Sequence, residues 1–323
     1  MLIGKSFISV ISLGFSIRYI SHSSHNRDHN FSSLHFIRTL KRVCVIFRGS
    51  VGLRDWLIDG LGLFKWNEPK IVQDFASRDV RLHGGFSSKY LFTKTFDLML
   101  MSSFLYEKLN ICPCRRYFIG YLFEKSRNAH KDTTKFEEMI AILKEIYAYK
   151  NDKLGRDYSD YELFITGHSL GGGLSQILAF TLAGLKDTEL SFLPKDKPIT
   201  TITYASPEAG NEKFRKEFTE LEKDNKLRHI RVSNHGDIVP NVFKRALYKQ
   251  TGLNIHLYDE RDDRRTTVGH NMAVGFLPNP LEFVKMHGLG TYDSRLFSER
   301  NKNLLNRPFE ELYEQFTGFR NIK

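Results

Sequence analysis

Three cysteines among 323 residues are too few for a disulfide scaffold, and their placement excludes the other usual cysteine devices. Cys44 lies inside the apolar run Val43–Phe47 and reads as a small core residue. Cys112 and Cys114 flank one proline, too close for an ordinary disulfide and without the second ligand pair of a zinc site. This usage favours a reducing compartment, cytoplasmic or organellar, over secretion. Long Lys/Arg runs are also missing, as are zinc-finger, RRM and helix-turn-helix signatures, so nucleic acid is not the expected partner. The net charge of +11 instead fits either attraction to anionic lipid or plain solubility.

The apolar stretch Phe7–Ile17 is too short and too serine-rich for a membrane span. With Lys5 ahead of it, it fits three readings equally: a secretory signal, a transit segment, or a helix packed on the domain. Apolar content of 41% and charged content of 26% are those of a soluble globular chain. The expected organisation is an N-terminal segment over 1–30 and one large domain over 31–323, with an insertion near 92–131. That insertion carries Phe96, Leu98, Phe104, Leu105 and Tyr106.

Strand-like and helix-like segments alternate. Val43–Phe47 reads as a buried strand ending in Arg48-Gly49-Ser50. The periodicity predicts a helix over Thr134–Tyr149, opened by a Thr134/Glu137 capping box, with Phe136, Met139, Ile140, Leu143 and Tyr147 on one face. Strands are expected at Glu162–Thr166, Ile199–Tyr204 and Leu227–Val232, with Leu253–Tyr258 as an edge strand. Pro308 suits the first turn of a last helix that carries Leu312 and Phe316. Strands feeding helices in this order imply a mostly parallel α/β sheet, with the site at the carboxyl ends of its strands.

Tyr161–Phe180 (YELFITGHSLGGGLSQILAF) carries the most chemistry. A short apolar strand turns at Gly167-His168-Ser169-Leu170-Gly171 into a helix with Leu174, Ile177, Leu178, Leu182 and Leu185 on one face. A strand turning into a helix at G-x-S-x-G is a nucleophile elbow. Gly167 and Gly171 are needed because side chains there would collide, while the turn exposes Ser169 and aims the Leu170 N–H at a developing oxyanion.

A nucleophilic serine needs a base, and the base an orienting acid; with this elbow both follow the serine, acid before base. Asp237, in His235-Gly236-Asp237, closely follows a strand and is the expected acid. Asp259, Asp262 and Asp263 belong to a charged run, read as a solvated loop. Of the histidines, His229, His235 and His256 precede the acid or lie within a strand. His270 and His287, both expected on loops, remain as alternative bases on spacing alone.

Six pieces, VIFRGSVGLRDWLIDGL, HGGFSSKY, ITGHSLGGG, YASPEAGN, SNHGDIVP and HGLGTY, stand in the order and approximate spacing of the class 3 lipases, the fungal triglyceride lipase-like family, which the chain resembles. The resemblance implies an α/β-hydrolase fold and hydrolysis of acyl esters in lipids. It places the base on His287, before Tyr292, with His270 in reserve. It makes Ser50 the second oxyanion donor beside Leu170, with Asp59 holding the Ser50 hydroxyl. It also makes Val51–Ile58, with Trp56, the lid. The implied mechanism is a Ser169–Asp237–His287 triad working through an acyl-enzyme, with no metal or cofactor, on lipid at an oil–water or membrane interface. Acylglycerols are the expected substrates, with phospholipase A or galactolipase activity on the same site, or a silent lipid-binding role, as alternatives. The chain departs from the family in its short upstream region, in the insertion, and in Glu208, where a basic residue is common.

Overall fold

The computed structural model describes residues 32–37, 41–47, 66–87, 134–151, 156–241, 247–272 and 283–319. Its centre is a seven-stranded sheet in simple sequence order: β1 (Ser32–Ile37), β2 (Arg42–Phe47), β3 (Glu162–His168), β4 (Ile199–Tyr204), β5 (Leu227–Asn234), β6 (Leu253–Leu257) and β7 (Thr267–His270). β2 to β6 pair in parallel, and β1 and β7 close the two edges antiparallel.

Helices α1 (Lys135–Ala148), α2 (Leu170–Leu185) and α3 (Glu212–Lys223) make the successive crossovers. Right-handed crossovers stepping one way across a sheet place all their helices on one face. Their buried side chains accordingly join Val43, Val45, Leu163, Ile165 and Leu227 in one core. On the other face of β4 to β6, α5 (Leu289–Leu296), which follows the short helix α4 (Phe283–His287), and α6 (Phe309–Thr317) bury Tyr292, Leu296, Leu312 and Tyr313 against Ile202, Ile230, Val232 and Ile255.

The capping box opening α1 is present, with Glu137 N–H on Thr134 Oγ1 at 3.1 Å and Thr134 N–H on Glu137 Oε2 at 2.6 Å. Its inner face is Phe136, Met139, Leu143, Ile146 and Tyr147, with Ile140 only partly buried. Two expectations need correcting. β6 is an interior strand, buried at all five positions, because β7 pairs outside it. α2 is enclosed nearly all round rather than on one face, since the sheet, α3 and Lys70–Gln73 surround it. The run Asp259–Arg265 is the solvated loop expected, and the Arg300 guanidinium bonds the carbonyls of Asp259, Glu260, Asp262 and Arg264. The N-terminal segment and the insertion near 92–131 lie outside the described residues.

Candidate active site

β3 runs two residues beyond its expected end, to His168, and Ser169 follows with φ 57° and ψ −125°. Positive φ is costly for a residue with a side chain, so the surroundings must impose it. Part of that imposition comes from the Ser169 N–H, which donates to the Tyr204 carbonyl at 2.9 Å. Close approach of strand and helix supplies the rest: a Cβ on Gly167 would stand 2.3 Å from the backbone of Gly171. Serine at a helix N-terminus ordinarily caps it. Here the hydroxyl makes no capping bond and lies 2.9 Å from His287 Nε2.

His287 is the last residue of the short helix α4, not a loop residue, and Gly288 turns the chain into α5. Its Nδ1 lies 3.0 Å from Asp237 Oδ2 and 3.1 Å from Oδ1. A carboxylate that accepts from Nδ1–H leaves Nε2 bare to accept from the serine hydroxyl, which fixes the direction of both bonds. Asp237 sits three residues past the end of β5 with its side chain fully enclosed. It also accepts the Val239 N–H at 2.9 Å and the Tyr292 hydroxyl at 2.6 Å. Leu170 is the first residue of α2, and first-turn N–H groups have no acceptor within their helix. Among the described residues its N–H has no hydrogen-bond acceptor.

The structure thus brings together Ser169, His287, Asp237, Leu170, Gly167 and Gly171, gathered from the ends of β3 and β5 and from the α4–α5 corner. Ser50, Trp56 and Asp59 lie outside the described residues. His270, the reserve base, closes β7 and bonds Glu222 Oε2 at 2.8 Å, while Tyr313 donates to Oε1 of the same carboxylate at 2.6 Å. That cluster around the buried Glu222 carboxylate ties α6 and β7 to α3. His229 and His256 are buried on strands, as expected. Burial pushes the His256 imidazole down to about 3, with His235 and neighbouring arginines adding to it. Missed from sequence were His168 and Asn234, which touch the corner bearing His287, and the Tyr292 hydroxyl. The position of His168 inside the elbow was the available signal.

A mostly parallel sheet with a strained serine between strand and helix, followed in the chain by a carboxylate and a histidine, defines the α/β-hydrolase fold. Within that class, the family model for lipase (class 3) matches residues 44–246, and the chain belongs to that family. Among similar proteins, phospholipase A1-II 3 of Oryza sativa subsp. japonica is 29% identical over 55% of this chain and 37% of its own length. Phospholipase A1-Igamma2, chloroplastic, of Arabidopsis thaliana is 35% identical over 34% of this chain and 21% of its own. A solved triacylglycerol lipase from Penicillium expansum is 18% identical, covers 74% of this chain and 67% of its own, and superposes with a TM-score of 0.45. The chain therefore spans well under half the length of the two curated relatives.

Proposed function

We propose that the protein is a serine hydrolase that cleaves carboxylic esters of lipids through an acyl-enzyme on Ser169. The observation that supports it best is the continuous hydrogen-bond chain from Ser169 Oγ through the His287 ring to Asp237. His287 Nε2 takes the Ser169 proton as Oγ attacks the ester carbonyl, and Nδ1–H stays on Asp237, which balances the imidazolium. The Leu170 N–H stabilises the oxyanion, where one such donor is typically worth about 3 kcal/mol. Ser50 is the second donor by the family resemblance. His287 then passes its proton to the leaving alcohol and takes one from water; the hydroxide attacks the acyl carbon, the bond to Ser169 Oγ breaks, and His287 returns the proton to Oγ as the fatty acid leaves.

For the head group we place glycerophospholipid ahead of triacylglycerol, because both curated relatives are named phospholipases A1. The net charge of +11 suits contact with an anionic lipid surface. The deciding experiment measures fatty-acid release from phospholipid, galactolipid, triacylglycerol and monoacylglycerol, with Ser169→Ala as control. Removing the nucleophile of a triad lowers turnover by about 10⁶-fold. Release that persists in folded Ser169→Ala overturns the mechanism, and a preference for triacylglycerol overturns the head-group assignment.

A further inference from the structure

The base His287 stands at the corner between two helices. It ends a helix of five residues, and the N–H groups of Thr291 and Tyr292 both turn back to the Gly288 carbonyl. The carbonyls of Met286 and His287 are thereby left outside both helices, as helix C-termini leave them. Two side chains bond to them. His168 Nε2 bonds the His287 carbonyl at 2.8 Å, and Asn234 Nδ2 bonds the Met286 carbonyl at 3.2 Å. One donor comes from the residue before the nucleophile, at the end of β3. The other comes from the last residue of β5, three positions before the acid.

From this geometry we infer that His168 and Asn234 are positioning residues, which hold the base by its main chain at the distances its side chain needs. The inference rests on the proposed hydrolase mechanism. A carbonyl can only accept, so His168 carries its proton on Nε2. Burial, helped by the neighbouring His287, pushes His168 down to about 4, so the ring is neutral near pH 7. That neutrality matters because the two imidazoles lie 4.6 Å apart, centre to centre. A cation on His168 would oppose the imidazolium that forms on His287 in each acyl-transfer step. The elbow therefore does two things with adjacent residues: Ser169 gives the proton, and His168 fixes the group that receives it. Since a misplacement of about 1 Å lowers rates by about 10²-fold, such struts act on turnover rather than on substrate binding.

The test compares His168→Phe, which keeps a ring but loses the donor, with His168→Gln, whose amide nitrogen lies as many bonds from Cα as Nε2. Asn234→Leu is the second arm. The probe is a water-soluble p-nitrophenyl ester, with melting temperature and the low-field proton resonance between His287 and Asp237 recorded for each variant. Expected for His168→Phe and Asn234→Leu is a fall in kcat of about ten- to a hundredfold, KM unchanged, and a shifted or broadened resonance. In His168→Gln most of kcat and the resonance should return. The inference is overturned if His168→Phe keeps kcat within about twofold, or if His168→Gln is as slow as His168→Phe at equal melting temperature. Should His168→Phe not fold, full kcat in Asn234→Leu or a slow, folded His168→Gln overturns it equally. A dead Ser169→Ala beside a fully active His168→Phe removes the struts alone, whereas an active Ser169→Ala removes the mechanism itself.

Discussion

The Tyr292 hydroxyl donates to Asp237 Oδ2 at 2.6 Å from a fully buried position, and its oxygen accepts the Asn234 N–H at 3.1 Å. Burial, reinforced by the Asp237 charge, pushes the Tyr292 phenol well above its ordinary range, so it stays a donor at any working pH. The carboxylate bonded to the His287 ring is thus itself held, by a residue five positions after that histidine in the chain.

Tyr292→Phe removes this donor while keeping the ring. A hydrogen bond to a charged group contributes about 1.5–3 kcal/mol, so stability should drop by that order and kcat should fall several-fold. Urea titration and steady-state kinetics check both. Unchanged kcat would mean that His287 and the Val239 N–H suffice to orient Asp237.

Most of this arrangement was legible in the residues, because each part has a local signature. Glycines around Ser169, β-branched runs and a capping box report short-range sterics and hydrogen bonding, and the corresponding elements stand where expected. What escaped depends on distant partners. Thr267–His270 is only four residues long and is a strand because Leu253–His256 pairs with it. Ser32–Ile37 is serine-bearing and becomes a strand against β2. His270 and His287 looked alike in sequence, since what separates them is Glu222 beside one and Asp237 with Ser169 beside the other. The struts from His168 and Asn234 end on main-chain carbonyls, which no residue pattern marks.

The two histidines should respond oppositely to mutation. His287→Ala is expected to lower kcat nearly as far as Ser169→Ala, because triad members act as a unit. His270→Ala should keep kcat but lose stability, leaving the buried Glu222 carboxylate with one donor fewer, at about 1–3 kcal/mol. Activity and denaturation measured on both variants decide this, and the reverse pattern would move the base to His270.

Gly167→Ala probes the elbow without touching a reactive group. The added methyl would lie 2.3 Å from the Gly171 carbonyl carbon and oxygen, which are backbone atoms with no rotamer to yield. Overpacking of this kind costs about 1–3 kcal/mol or more. The relief available is a shift of the turn that carries Ser169. Labelling by a fluorophosphonate should therefore slow even in the folded fraction. Wild-type labelling at wild-type stability would show that the turn tolerates a side chain.

Stability should fall as the solution is acidified from pH 6.5 to 5, ahead of most carboxylate titration. His168 and His256 are depressed to about 4 and about 3, chiefly by burial, and burial lowers His229 well below its ordinary value. Each is neutral in the folded chain and near 6.5 when unfolded, so over this window the unfolded state binds more protons. By linkage, stability then rises with pH through the window and levels off above it. Each fully titrating histidine contributes a slope of up to about 1.4 kcal/mol per pH unit. The measurement is the free energy of unfolding in urea at half-unit steps, with His256→Gln for comparison. His256 accepts or donates only through Ser233 at 2.9 Å among the described residues, so the glutamine variant should flatten the slope by one histidine's share. A slope that is already flat in the wild type would mean that these rings are protonated in place, contrary to their burial.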